Sequence, residues 1–264
     1  SFDSLASGKK LSSPIEDPGG LAVSMKLSAS INRLAGAQNN VQNATSFLEV
    51  QDGMLDTVGR IIDRMSELKG LASQDPMKST QDRASYNNEF KDLQVQLYAI
   101  SQQGFNGVSL FANHTTDANG VVEAGETLFD GKDTLRSKDN TLTIFTSTEG
   151  SGGAKVSIFK SSLLSALTIG QDKSINNAWS GANNATTAAG STAQTATFAS
   201  ASIEGTLNLD QISVGVITQA LENVSYLRSQ NGGSQSRLAF NLESLTQQKT
   251  NMRAALGRIV DVDI

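Results

Sequence analysis

In the first third of the chain apolar residues fall at Leu27, Ile31, Leu34, Val41, Leu48, Leu55, Val58, Ile62, Met65 and Ala72. The steps are mostly three, four or seven residues, the period of a helix with one buried seam. Asp17 and Pro18 mark its start: the carboxylate can accept free amides, and Pro18 has no amide to leave unpaired. QDPMKST (74–80) ends it. A second run, Tyr86, Phe90, Leu93, Leu97 and Ile100, continues until GFNGVSLF (104–111) breaks the period with two glycines. The pattern predicts a helical hairpin.

The last quarter carries a stricter repeat. Ile217, Val224, Asn231, Leu238, Leu245, Met252 and Ile259 recur every seven residues, with Leu221, Leu242 and Leu256 four places after members of that series. RSQNGGSQS (228–236) interrupts the apolar seam with Arg228, Asn231 and Gln235 beside two glycines, and should loosen or bend the helix there. The register is the same on both sides, which favours one continuous helix. Between the helical ends, NTLTIFTS (140–147) and AKVSIFKSS (154–162) alternate apolar and polar residues around the turn-rich TEGSGG, as a β-hairpin does. The stretch from 175 to 205, rich in Ala, Ser, Thr and Asn, suits loops or short exposed strands.

Isolated helices are marginal in water, so the first, second and last helices are expected to pack together. The predicted class is mainly α with a β-containing insertion: an elongated antiparallel rod of three long helices with a small β head. Composition supports slender packing, because aromatics are 5% of the 264 residues, with one Trp and three Tyr. Cysteine is absent, which removes thiolate nucleophiles and thiolate metal sites. A single histidine, His114, removes any site needing two imidazoles and reads as a loop residue. A net charge of −5 without a Lys/Arg cluster argues against a nucleic-acid partner. No apolar run approaches the ~20 residues of a membrane span, and no apolar signal-peptide core is visible at the start. An enzyme is not expected, and no cofactor motif stands out.

Four stretches resemble one family. LASGKKLSSPIEDPGGLAVSMKL (5–27), IIDRMSELKGLASQ (61–74), FNGVSLF (105–111) and SRLAFNLESLTQQKTNMRAALGRIVDVDI (236–264) are similar, in that order, to blocks of the bacterial flagellins. The resemblance implies a non-enzymatic structural protein, exported through the flagellar type III channel without a cleavable signal and stacked into an extracellular filament for motility. It implies residues 1–18 as a linker from an inner-tube domain, 19–112 and 205–264 as a helical rod domain, and 113–204 as a variable β-rich head. Family members continue beyond both ends of this chain, so a core trimmed of its inner-tube helices is expected. Expected partners are further copies of itself, an export chaperone and a filament cap. A hook-filament junction protein, or a flagellin-like surface protein whose head binds a polysaccharide, is the alternative; Trp179 is the one Trp such a head could offer as a sugar platform.

By position, Arg64, Glu67 and Leu68 match the patch through which family members contact a host innate immune receptor, or a neighbouring subunit, and the acidic partner on the second helix is expected near Gln94 or Gln96. The helical seam candidates are Leu55, Ile62, Met65, Ile217, Leu221, Val224, Leu238, Leu242, Leu245, Met252, Leu256 and Ile259. TTDANGVVEAGE (115–126) places Asp117, Asn119 and Glu126 at calcium-loop positions 3, 5 and 12, but Thr115 sits where an acid is needed, so a polar turn is the favoured reading and no metal is assigned.

Overall fold

The computed structural model describes residues 18–73, 78–112, 141–170, 186–187, 194–197 and 199–261. It is mainly helical, with a small strand-bearing insertion. Helix α1 spans Pro18–Ser73 and begins at the predicted proline; Asp17, its expected cap, lies outside the described residues. Helix α2 spans Thr80–Ser101 and opens on a capping box, in which Ser79 Oγ accepts from the Asp82 amide and the Asp82 carboxylate accepts from the Ser79 amide, each at 3.1 Å. The apolar period alone did not reveal that start.

Strands β1 (Gly104–Phe105) and β2 (Val108–Ser109) pair antiparallel across Asn106 and Gly107, which adopt φ of 51° and 77°. Left-handed conformation at both positions is what a two-residue Asn-Gly hairpin requires. The predicted hairpin of the insertion also forms: β3 (Thr141–Phe145) pairs with β4 (Lys155–Phe159), with the Thr146 amide donating to the Ala154 carbonyl at 3.0 Å. At Gly153 an added Cβ would overlap Ser147 Oγ, which accepts from the Ala154 amide, so only glycine fits the turn. A short helix α3 (Leu163–Ala166) follows, then a three-stranded antiparallel sheet in the order β5 (Thr168–Gly170), β7 (Gln194–Thr197), β6 (Thr186–Thr187). Helix α4, Val214–Asp261, runs unbroken through Gly232 and Gly233.

The chain folds as two compact units. In the unit formed by residues 1–46, 143–158 and 234–264, α1 buries Ile31, Leu34, Ala37, Val41 and Ala44, α4 buries Leu238 and Leu245, and the hairpin buries Ile158. Arg237 Nη2 donates to the Ser157 carbonyl at 2.7 Å and Gln38 Nε2 to Thr246 Oγ1 at 3.0 Å. The other unit, residues 47–142 and 159–233, has the larger core: its buried side chains include Leu48, Leu55, Val58, Ile62, Met65 and Leu68 of α1, Phe90 and Leu97 of α2, Leu163 of α3, Val216, Ile217, Val224 and Leu227 of α4, and Leu207 and Leu209 of the segment before α4. The spacings of three and four place these side chains on one face of each helix.

A Cβ added at Gly232 or Gly233 meets nothing within 4 Å. Both residues are exposed and sit inside a helix, where glycine costs roughly 0.5–1 kcal/mol relative to alanine. Replacing either by alanine is therefore expected to raise stability by about that amount in urea-monitored unfolding; a loss would show that the helix needs a glycine there for a reason other than space.

Candidate functional site

The chemistry of a helical scaffold lies in what its buried polar groups hold. Gln51 and Asn231, both almost fully enclosed, meet between α1 and α4. Asn231 Nδ2 donates to Gln51 Oε1 and to the Leu48 carbonyl, each at 2.8 Å. Gln51 Nε2 donates to the Leu110 carbonyl at 2.7 Å and to the Phe159 carbonyl at 3.0 Å. Those two carbonyls belong to the segment by which the chain leaves α2 and the segment by which it returns from the β3–β4 hairpin. Phe111 and Ser161 bridge the same two segments. One pair of amides thus ties two long helices to both stems of the insertion. The polar interruption was expected to loosen α4, but Asn231 is satisfied, Gly232 and Gly233 stay helical, and Arg228 leaves the seam to bind Asp52 and Asp56 at 3.0 and 3.2 Å.

Two more amides hold the segment that leads into α4. Gln94 is fully buried; its Oε1 accepts from the Leu207 amide at 2.8 Å and its Nε2 donates to the Leu207 carbonyl at 2.9 Å, as a neighbouring strand would. Asn87 Oδ1 accepts from the Leu209 amide at 2.9 Å. Lys69 Nζ donates to the Leu209 carbonyl at 2.7 Å; burial pushes its pKa below the usual lysine value, and the nearby Asp210 carboxylate opposes that shift.

The expected Arg64 patch has a different acidic partner from the one the sequence suggested. Arg64 Nε and Nη2 bind Glu89 of α2 at 2.9 and 3.2 Å, and Nη1 binds Glu67 at 3.0 Å. The hydrogen bond to Glu89 is the main cause of the raised Arg64 pKa. Gln94 serves the core, and Gln96 is exposed without being the partner. Leu68 is fully buried, so the accessible face consists of Arg64, Glu67 and Glu89.

Seven of the seam candidates are buried: Leu55, Ile62, Met65, Ile217, Val224, Leu238 and Leu245. Leu221, Leu242, Met252, Leu256 and Ile259 are only partly covered. Met252 and Ile259 belong to the heptad row itself, near the end of α4; for Leu221, Leu242 and Leu256 the reason lies in the second row of the helix. It falls three places after the heptad residues, at Ala220, Leu227 and Ser234, not four places after them. Ala220 and Ser234 carried little apolar signal there, whereas the leucines at the flank did.

Asp117, Asn119, Glu126, His114 and Trp179 lie outside the described residues. Among the described residues no group of three or more His, Cys, Asp or Glu is placed to hold a metal, and no helix is long and apolar enough to cross a membrane. Long helices whose buried amides fix backbone segments define a helical scaffold.

Comparison with known proteins agrees. The bacterial flagellin N-terminal helical region matches residues 1–116 and the bacterial flagellin C-terminal helical region matches residues 214–264, together most of the chain. Flagellin of Listeria innocua serovar 6a is 25% identical over 98% of this chain and 77% of its own length. Flagellin FlaB1 of Treponema pallidum is 24% identical over 100% of this chain and 78% of its own length. The flagellar filament 31.3 kDa core protein of Treponema maltophilum is 32% identical over 45% of this chain and 42% of its own length. The chain belongs to the bacterial flagellin family. It is a structural subunit of the flagellar filament, an extracellular polymer of such subunits, and not an enzyme.

The amide pair gives a prediction. Asn231→Leu leaves Gln51 Oε1 enclosed without its donor and is expected to cost about 1–3 kcal/mol. Gln51→Leu also withdraws a donor from the Leu110 and Phe159 carbonyls and should cost more. In urea unfolding the double variant should lose less than the sum of the singles, by about 0.5–3 kcal/mol; strict additivity would show that the two amides act independently.

Proposed function

We propose that residues 19–112 and 205–264 form the rod domain by which this subunit packs into the filament, that 113–204 form its variable head, and that 1–18 link to an inner-tube segment. The observation that carries the reading is that the flagellin family matches fall on the two helical ends, 1–116 and 214–264, on either side of the strand-bearing insertion. In this reading the subunit is secreted through the flagellar type III channel without a cleavable signal, accompanied by an export chaperone and added to the filament beneath a cap. The half-exposed Arg64, with Glu67 and Glu89, is the candidate contact for a host innate immune receptor.

Sedimentation and negative-stain imaging of this 264-residue chain beside a version extended at both ends by flagellin-type terminal helices test the assembly reading: filaments from the extended chain support it, and an extended chain that stays monomeric under all polymerising conditions overturns it. Leu245→Asp puts an unpaired charge among Leu238, Ile158 and the α1 stripe, so a loss of a few kcal/mol in unfolding free energy and of filament yield is expected. Unchanged thermal unfolding would contradict the seam.

A further inference from the structure

The β1–β2 hairpin turns on Asn106–Gly107, and α4 contains the same dipeptide at Asn231–Gly232. Asparagine is among the chemically labile residues, and a following glycine exposes it further: with no side chain in the way, the glycine nitrogen can approach the asparagine Cγ. Whether it does depends on what holds the side-chain amide, the glycine nitrogen and the backbone between them. The two sites differ in all three.

At Asn231 each is held. The residue is 3% exposed, and its Nδ2 donates to the Leu48 carbonyl and to Gln51 Oε1, each at 2.8 Å. Gly232 lies within an unbroken helix, whose ladder engages its amide with the preceding turn. At the β1–β2 turn the same groups are open. Asn106 and Gly107 are both exposed, and among the described residues neither the Asn106 side chain nor the Gly107 amide has a hydrogen-bond partner. Only two residue pairs close the hairpin, Gly104 with Ser109 and Phe105 with Val108, so rotating the backbone at Asn106 toward a cyclic product disturbs the end of a very short ladder.

We propose that Asn106 is a site of spontaneous deamidation and isoaspartate formation, and that the fold shields Asn231 from the same reaction. The Gly107 nitrogen gives its proton to solvent base and attacks Asn106 Cγ. The new N–Cγ bond forms, the Cγ–Nδ2 bond breaks, and Nδ2 leaves as ammonia with a proton from solvent. Water then opens the five-membered succinimide, so that one water is consumed for each ammonia released. Attack at Cγ gives an aspartate on an unaltered backbone, and Asp tolerates the left-handed conformation of the turn as Asn does. Attack at the other carbonyl gives an isoaspartyl link, which adds a methylene to the backbone between Phe105 and Val108, where the pairing requires a two-residue loop. The strain reaches past the turn. The Phe105 ring packs edge-on against Phe47 at 6.3 Å, the Leu110 amide donates to the Gln103 carbonyl at 3.0 Å, and the Leu110 carbonyl accepts from Gln51 at 2.7 Å. A change at an exposed turn is therefore felt at the amide pair that joins α1 and α4.

The test ages the folded full chain at mildly alkaline pH, in an Asn119→Gln background that removes the Asn-Gly pair outside the described residues. Peptide mapping by mass spectrometry follows Asn106 and Asn231 separately, and isoaspartyl methyltransferase labels the isoaspartyl product. The Asn106 peptide should convert at least about tenfold faster than the Asn231 peptide, and the difference should vanish in urea, where both sites are unfolded. Equal rates in the folded chain, or conversion of Asn106 only after unfolding, overturn the proposal. Asn106→Gly keeps a dipeptide suited to the turn and removes the amide, so its stability should not decline with ageing; a decline equal to that of the unmodified chain would place the damage elsewhere and overturn the assignment. The isoaspartyl fraction of the aged chain, separated chromatographically, should unfold at a lower urea concentration than the aspartyl fraction. Equal midpoints would show that the turn absorbs the added methylene and would overturn its link to the amide pair.

Discussion

Burial of the apolar stripes of α1 and α4 is the constraint on which the other features depend. Neither helix is stable alone in water, since helix propagation gains little per residue and most helical stability in proteins comes from packing. The stripes are narrow and mostly aliphatic, so the packing has little specificity of its own: Leu, Ile and Val at heptad spacing fit one another equally well one repeat up or down. Polar groups inside the seam remove that freedom. Sliding α4 by seven residues would set Val224 or Leu238 against the Gln51 amide and leave it enclosed without Asn231, at the cost of an unsatisfied buried polar group. The amide pair therefore selects one register where aliphatic contacts would accept several, and through the Leu110 and Phe159 carbonyls it fixes where the insertion starts and ends.

The same device recurs at Gln94 and Asn87. A primary amide carries both a donor and an acceptor and can stand in for a strand neighbour, as Gln94 does with both polar groups of Leu207. This lets the segment before α4 cross a helix with its backbone satisfied and no sheet beside it. Exposed ion pairs such as Arg228 with Asp52 and Asp56 add little stability in comparison, because solvent screens them.

These differences explain what could be read from the sequence. The long helices, the break at 74–80, the continuity of α4 and the β3–β4 hairpin follow from periodicity, which depends only on where apolar residues stand. The amide pairs do not, because Gln51 and Asn231 are 180 residues apart and a polar residue at a seam position looks the same whether it is satisfied or disruptive. The second row of α4 was misplaced for a related reason: Ala220 and Ser234 are buried by geometry and not by hydrophobicity, while Leu221 and Leu242 have the hydrophobicity without the position. The acidic residue of the Arg64 patch was expected near Gln94 or Gln96, five and seven residues after Glu89, the carboxylate that binds Arg64. Which of several surface carboxylates a side chain meets depends on how the two helices are rotated, and Glu89 is the one that rotation brings to it.

The helices also hold glycines at 36, 53, 59, 70, 232 and 233, where an added Cβ would meet nothing within 4 Å among the described residues and φ is not positive. Each lowers helix stability by roughly 0.5–1 kcal/mol relative to alanine. For a protein whose task ends with its own folding, these positions would be simple gains. A filament subunit faces a second requirement, because its helix surfaces become interior when copies pack, and a backbone without side chains allows close approach there. Stability of the free chain is then the wrong quantity by which to judge the sequence. The relevant quantity is the difference between the free and the packed subunit, and a weaker monomer with accessible helix surfaces enlarges that difference.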